Sequence, residues 1–492
     1  MRLVLGIDLG TQSCKAVVCD EQLGVLGDHQ VPYATDYPQA DRAEQDPAAW
    51  EAALAPVIAG ALAAARATPD DVVAIAFAGQ LDGCVAVDAA GAPLHPALIW
   101  QDRRAAAELA QIDPGHARLF AITGQVADPS HMAPKINWLR KHGIRATRFH
   151  QPVSYLVARV TGESVIDPSH ASTTLLFDLA AGTWSQELLR AFAIDPGELP
   201  RIAPTCSIAG AIHRQGAKLT GLREGTPVAV GTGDDFATPL GAGIVAPGPV
   251  ICAIGTAEVV GALSTAAIRD QPSARSGSSP WVALPEPMVE THAFPTGAYF
   301  IENPGWLSGG AVRWAVRMLG LGSDAELDAL AAAAPPGAGG ITFLPALAGA
   351  MTPIWRPDAR ATLHGLAAGH DRGHIARAIL EGLAFAARDV AERLASLGIP
   401  AREVLVLGGG ARSRVWMQLR ADALAIPHHV AARADSCPVG AAMIAAVAAG
   451  IMPSLDAAAA CAPPAAATFT PQDSLDEAYE RYCRLVGQLA PK

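Results

Sequence analysis

Two stretches of this chain share one grammar: an apolar run, a Gly-Thr turn, and a second strand-like run. The first is GIDLGTQSCKAVVCD (6–20) and the second is PVICAIGTAEVVGAL (249–263). A β-rich run that reverses at glycine within a few residues reads as a hairpin. Finding the same hairpin near the start and again past the midpoint constrains the fold strongly. It predicts two α/β domains, each opening on a strand–Gly-Thr–strand unit. The proline- and glycine-containing AGIVAPGP (242–249) is where one ends and the next begins, giving domains 1–244 and 245–492.

The intervening segments fit that plan. Asp46 followed by Pro47 predicts a capped helix running to about residue 66. VVAIAFAG (72–79) is apolar throughout, as in a strand buried on both faces. Residues 373–397 carry apolar side chains at helical spacing and stop at Gly398. EVLVLGGGARSRVW (403–416) predicts strand, glycine turn, helix, and CPVGAAMIAAVAAG (437–450) a buried helix. A cleft between two such lobes is the expected ligand site.

Composition excludes several functions. Half the residues are hydrophobic (51%) and the net charge is −11, which argues against nucleic acid as a partner. Any phosphate ligand must then be held by backbone N–H groups and a divalent cation. Eight scattered cysteines without a CxxC pair fit a reducing compartment and disfavour a zinc cluster. Asp8 interrupts the N-terminal apolar run, and Val439–Met452 is too short to span a bilayer, so the expectation is a cytoplasmic protein with no membrane partner.

Several residues read as chemistry. An acid ending a buried strand, as Asp8 does, is costly unless it meets a cation, donors or water. Asp8 could hold Mg²⁺ through water, with Thr11, Gln12 and Lys15 near a phosphate; an ordinary hairpin reads equally well. Gly255–Thr256 repeats the turn without the acid. Three glycines at 408–410 permit close approach of a flat ligand such as adenine, or form a tight turn with Ser413 as cap. Neither G-x-G-x-x-G spacing nor a G-K-[ST] loop occurs there. GQLDG (79–83) and WQDRR (100–104) offer Asp82, Asp102 and Arg104 as sugar-hydroxyl partners, with a structural Asp102–Arg104 ion pair as the alternative. VAVGTGDDFATPLGAG (228–243) presents two adjacent acids, Asp234 and Asp235, between which spacing does not choose.

Taken in order, GIDLGT, EQDPAAW, WQDRR, APKINWL, GTGDD, GTAE and GGGARSRVW resemble the FGGY carbohydrate kinases across nearly the whole chain. ATLHGLAAGHDRGHIARAILEG (361–382) is similar to the family's C-terminal signature; SHMAPKINWLRKH matches the N-terminal one less well, with Met132 at a usually small position. The resemblance implies two actin-like ATPase domains of the ribonuclease H-like, hexokinase/actin superfamily, with an interdomain catalytic cleft. It implies ATP and Mg²⁺ as cofactors and a small sugar as substrate, with a homodimer left open. It implies Asp234 as general base, Asp8 and Asp234 as Mg²⁺ ligands through water, and Leu81, Asp82, Asp102, Arg104 and Asp234 at the sugar. Thr11, Gln12, Lys15, Gly255, Thr256, Gly409, Gly410 and Ser413 are implied at the nucleotide. Within the family the chain looks most like xylulokinases, making D-xylulose phosphorylated at O5 the expected reaction. It departs from them at Leu81-Asp82-Gly83, where they read Met-His-Gly, and at Ala257-Glu258, where Ser-Gly is frequent.

Overall fold

A computed structural model of the chain describes residues 2–112, 115–269, 289–349 and 359–489. They form two compact units. The first comprises Met1–Ala246, Thr291–Phe300 and Ser436–Ala462, and the second Pro247–Glu290, Ile301–Asp435 and Pro463–Lys492. The sequence suggested a single cut at 244/245. The units are instead interleaved, because a late helix returns to the first one.

In the first unit, β1 (Leu3–Leu9) and β2 (Ser13–Cys19) form the expected antiparallel hairpin, with β3 (Val25–Pro32) beside β2. On its other edge β1 runs parallel to Val72–Gly79, which is almost wholly buried. Parallel strands with both faces covered require this unbroken apolar sequence. Helix α1 (Pro47–Ala64) starts at Asp46, whose carboxylate accepts the Ala48 N–H at 2.9 Å. Among the described residues α1 is the one helix long and apolar enough to cross a membrane. Its Trp50, Leu54, Val57 and Ile58 lie in the sheet core.

The returning helix is Cys437–Ala448. It meets β1 and the helix Asp234–Gly241 at glycines. A Cβ on Gly6 would fall 1.9 Å from the Pro438 carbonyl oxygen, one on Gly440 2.0 Å from that of Ala237, and one on Gly241 1.9 Å from that of Ser436. Ser436 Oγ also donates to the Thr238 carbonyl at 2.9 Å. Backbones this close exclude any side chain at the crossing. Gly440→Ala should therefore destabilise the protein by about 1–3 kcal/mol and displace the helix that begins at Asp234. Urea unfolding checks this; an unchanged midpoint would show that the helices separate easily.

The second unit repeats the plan. Val250–Ile254 and Ala257–Ser264 form an antiparallel hairpin, and Val250–Ile254 runs parallel to Val404–Leu407. The sheet continues through His428–Val430 to Ala467–Phe469. The long helix appears as Arg372–Ser396, capped by Asp371 and ended at Gly398, whose φ is +86°.

Candidate active site

In the first unit three parallel strands end side by side. Asp8 pairs with Ala78 and Leu9 with Gly79 across one interface; Thr232 pairs with Ala78 and Gly233 with Gly79 across the other. Asp8 thus lies at the carboxyl end of β1, Leu81 and Asp82 just past the end of the central strand, and Asp234 just past the third. Carboxyl ends of parallel strands are where α/β folds collect ligands.

Asp8 is buried, and Lys15, its cross-strand partner, brings Nζ to 3.7 Å from Oδ2. Asp234 and Asp235 open the Asp234–Gly241 helix, and the Asp235 N–H donates to Asp234 Oδ1 at 3.1 Å. Burial, then the Asp235 charge, pushes the Asp234 carboxyl up to about 8, against a downward pull from Lys15. Tyr33 joins the group: its hydroxyl donates to the Gly10 carbonyl. Burial and the nearby Cys14, Asp8 and Asp234 raise its pKa. Asp8, Lys15 and Asp234 thus stand close together.

Leu81 is buried beside this group. A Cβ on Gly233 would lie 2.0 Å from Leu81 Cδ2, so the glycine before Asp234 makes room for that side chain. Asp82 has φ +57° without being glycine. Its N–H donates to Gln151 Oε1 at 3.1 Å, and its carbonyl accepts from Lys135 Nζ at 2.9 Å. Its Oδ1 stands 3.0 Å from His131 Nδ1. Burial pulls the Lys135 pKa down to about 8, with Asp82 and Asp102 opposing. His131, Lys135 and Gln151 are site residues that sequence reasoning missed. One signal existed: Lys135 falls on the same helical face as Met132, Ile136 and Leu139, a place for an apolar residue.

Asp102 and Arg104 require a correction. Asp102 has no exposed surface. Arg104 Nε donates to its two oxygens at 2.8 and 2.9 Å, and the Ala43 N–H donates to Oδ2 at 2.8 Å. Arg104 also binds Glu44 at 2.7 Å and lies over the Trp138 ring. The pair is spent on fastening 43–44 to 102–104, so it shapes the wall behind the site without presenting a carboxylate to a sugar. The half-exposed Trp100 donates through Nε1 to Thr11 Oγ1 at 2.9 Å, leaving the Thr11 O–H able to donate outward. The exposed Gln12 fixes the tip through its carbonyl, which accepts the Tyr33 N–H at 3.1 Å.

In the second unit Gly255–Thr256 occupies the carboxyl end of Val250–Ile254, beside Gly408 at the end of the parallel strand. Thr256 Oγ1 accepts from Nη2 of the exposed Arg313 at 2.8 Å, a cation that sequence reasoning did not single out. A Cβ on Gly410 would strike Ile254 at 2.3 Å, so internal packing explains that glycine; Gly409 faces open space. Ser413 also departs from expectation. Its hydroxyl caps the following helix at the Trp416 N–H (3.0 Å) and donates to Asp328 at 2.8 Å, so it serves the turn itself and is not presented as a nucleotide ligand. Glu258 points inward: it is fully buried against Arg420, with Nη1 at 3.1 Å, and accepts from Ser308 Oγ at 2.8 Å.

Comparison with known proteins agrees with this architecture. Residues 3–241 match the N-terminal domain and residues 251–449 the C-terminal domain of the FGGY family of carbohydrate kinases. The chain is 33% identical to a glycerol kinase of Alkalilimnicola ehrlichii, over 98% of this chain and 96% of that one. It is 31% identical to a xylulose kinase of Escherichia coli, over 85% and 84%. The crystal structure of a xylulose kinase from Rhodospirillum rubrum superposes with a TM-score of 0.88 at 30% identity, covering 99% of each chain.

Proposed function

We propose, from the premise that this chain belongs to the FGGY family of carbohydrate kinases and has their two-domain actin-like ATPase fold, that it phosphorylates a ketopentose with ATP, D-xylulose at O5 before others. The observation that carries this reading is the alignment of Asp8, Asp82 and Asp234 at three adjacent strand ends. Phosphoryl transfer asks mainly for positioning and charge neutralisation. Asp234 takes the acceptor hydroxyl proton, and a carboxylate of raised pKa is the stronger base once ionised. Leu81 and Asp82 bound the acceptor. Lys15, Thr11 and Gln12 stand at the phosphate end of that site.

The donor set beside Asp234 is carboxylate oxygen from Asp8, Asp234 and Asp235, the hard chemistry that suits Mg²⁺. Asp8 and Asp234 would hold the ion through water, and it would neutralise charge on the ATP phosphates. In the second unit the Gly255–Thr256 turn and Arg313 supply donors for phosphate, and Gly409 offers open backbone to adenosine.

A polyol acceptor is the second reading. The glycerol kinase similarity, 33% over nearly the whole chain, favours it. Coupled ADP release across D-xylulose, D-ribulose, gluconate, glycerol and erythritol tests both. The expected order puts D-xylulose highest in kcat/KM; glycerol at the head would replace the first reading by the second. Asp82→His, which restores a donor at this position, should move the acceptor ranking and leave the KM for ATP unchanged. An unaltered ranking would take Asp82 out of the acceptor site.

A further inference from the structure

We propose that His131 and Lys135 are positioning residues that hold Asp82 as a directional hydrogen-bond acceptor and thereby set which acceptor hydroxyl is read. The proposal rests on the reading that Asp82 bounds the acceptor site. The left-handed backbone of Asp82, at φ +57°, is a conformation that residues other than glycine adopt infrequently. Such strain persists where the surroundings over-determine it, and here three side chains from two helix starts do so.

Gln151 accepts the Asp82 N–H, Lys135 donates to its carbonyl, and His131 meets one carboxylate oxygen. Each anchor is itself held. Gln151 Nε2 donates to the His170 carbonyl at 3.0 Å and to Thr173 Oγ1 at 2.9 Å. Lys135 Nζ donates a second time, to the Ile99 carbonyl at 2.7 Å. His131 Nδ1 lies 2.8 Å from the Thr173 carbonyl, and Nε2 lies 3.1 Å from that of Val126. His131, Lys135 and Gln151 are all buried.

The far carboxylate oxygen, Oδ2, makes no hydrogen bond among the described residues, and the side chain is 18% exposed. One oxygen is thus gripped from behind while the other faces outward. An ionised carboxylate only accepts, so its ligand must bring a hydroxyl hydrogen to that one direction. Burying a lysine without a carboxylate contact is expensive. Fixing the carbonyl of a strained residue gives that lysine a task that an apolar side chain cannot perform.

Steady-state kinetics test the role, using the best acceptor of the unaltered enzyme and ATP. His131→Leu removes the grip on Oδ1 and should raise the acceptor KM about 10-fold, the worth of one charge-assisted hydrogen bond. Its kcat and its KM for ATP should stay near the parent values. His131→Gln keeps an N–H donor and should recover most of the loss. Lys135→Met should move the acceptor KM in the same direction, with thermal melts identifying any simple loss of folding. Asp82→Asn serves as the control. If Asp82→Asn raises the acceptor KM and His131→Leu does not, the positioning role is overturned alone. If Asp82→Asn is also unchanged, the placement of Asp82 at the acceptor fails and the proposal with it. Equal damage by His131→Leu to kcat and to both KM values, without rescue by glutamine, would make His131 merely structural and overturn the proposal as well.

Discussion

Asp234→Asn should lower kcat by about 10²–10⁴-fold, the range for losing a general base, while ATP still binds. The same substitution should make the protein more heat-stable. The Asp234 carboxyl has its pKa raised from 3.8 to about 8, first by burial and then by Asp235. The folded chain therefore holds this proton more tightly than the unfolded chain. The contribution of this group to stability is fully present below about pH 4, where folded and unfolded chains both hold the proton, and is lost as pH rises through about 8. Asparagine stays neutral and escapes that decline. The melting-temperature gap should be near zero at pH 4, widen up to pH 8, and level off above it. About 2–4 °C per kcal/mol is the expected scale for a unit of this size. Near-normal turnover would remove Asp234 as base. A gap that does not change with pH would contradict the electrostatic account of its pKa.

The second large effect belongs to the second unit. Arg420→Met would leave the Glu258 carboxyl fully buried without its guanidinium partner. Breaking a buried pair from one side costs about 3–5 kcal/mol. Glu258 follows the Gly255–Thr256 turn by two residues and also accepts from Ser308, whose N–H donates to the Thr256 carbonyl at 3.1 Å. Losing Arg420 should therefore loosen that turn and raise the KM for ATP as well. A Glu258→Met/Arg420→Met double variant removes both charges and should regain most of the stability. Denaturant unfolding of the single and double variants decides the matter. A single variant as stable as the parent would mean that water or another cation already compensates Glu258.

What could be read in the chain beforehand was local. Asp46-Pro47, Asp371 and Gly398 announce helix ends through capping chemistry that acts within a few residues. The two Gly-Thr hairpins were legible for the same reason. Partnerships across long separations were not. Asp102 offers a carboxylate by type, yet Ala43 and Arg104 consume it. Ser413 and Gly410 suit a ligand loop by composition, but their partners are Asp328 and Ile254. The grip on Asp82 joins residues 82 and 151 to the 131/135 pair at the start of one helix, and no local pattern connects these three segments. Glu258 looked misplaced beside a phosphate turn only because its partner lies 162 residues onward.

The return of Cys437–Ala448 to the first unit also bears on how the chain is made. On the ribosome, β1 and the Val72–Gly79 strand emerge roughly 360 residues ahead of the helix that packs against Gly6. At about 5–20 residues per second, that apolar sheet face waits roughly 20–70 seconds for its cover. The unit carrying Asp8 and Asp234 therefore cannot close its core until Cys437–Ala448 has been made.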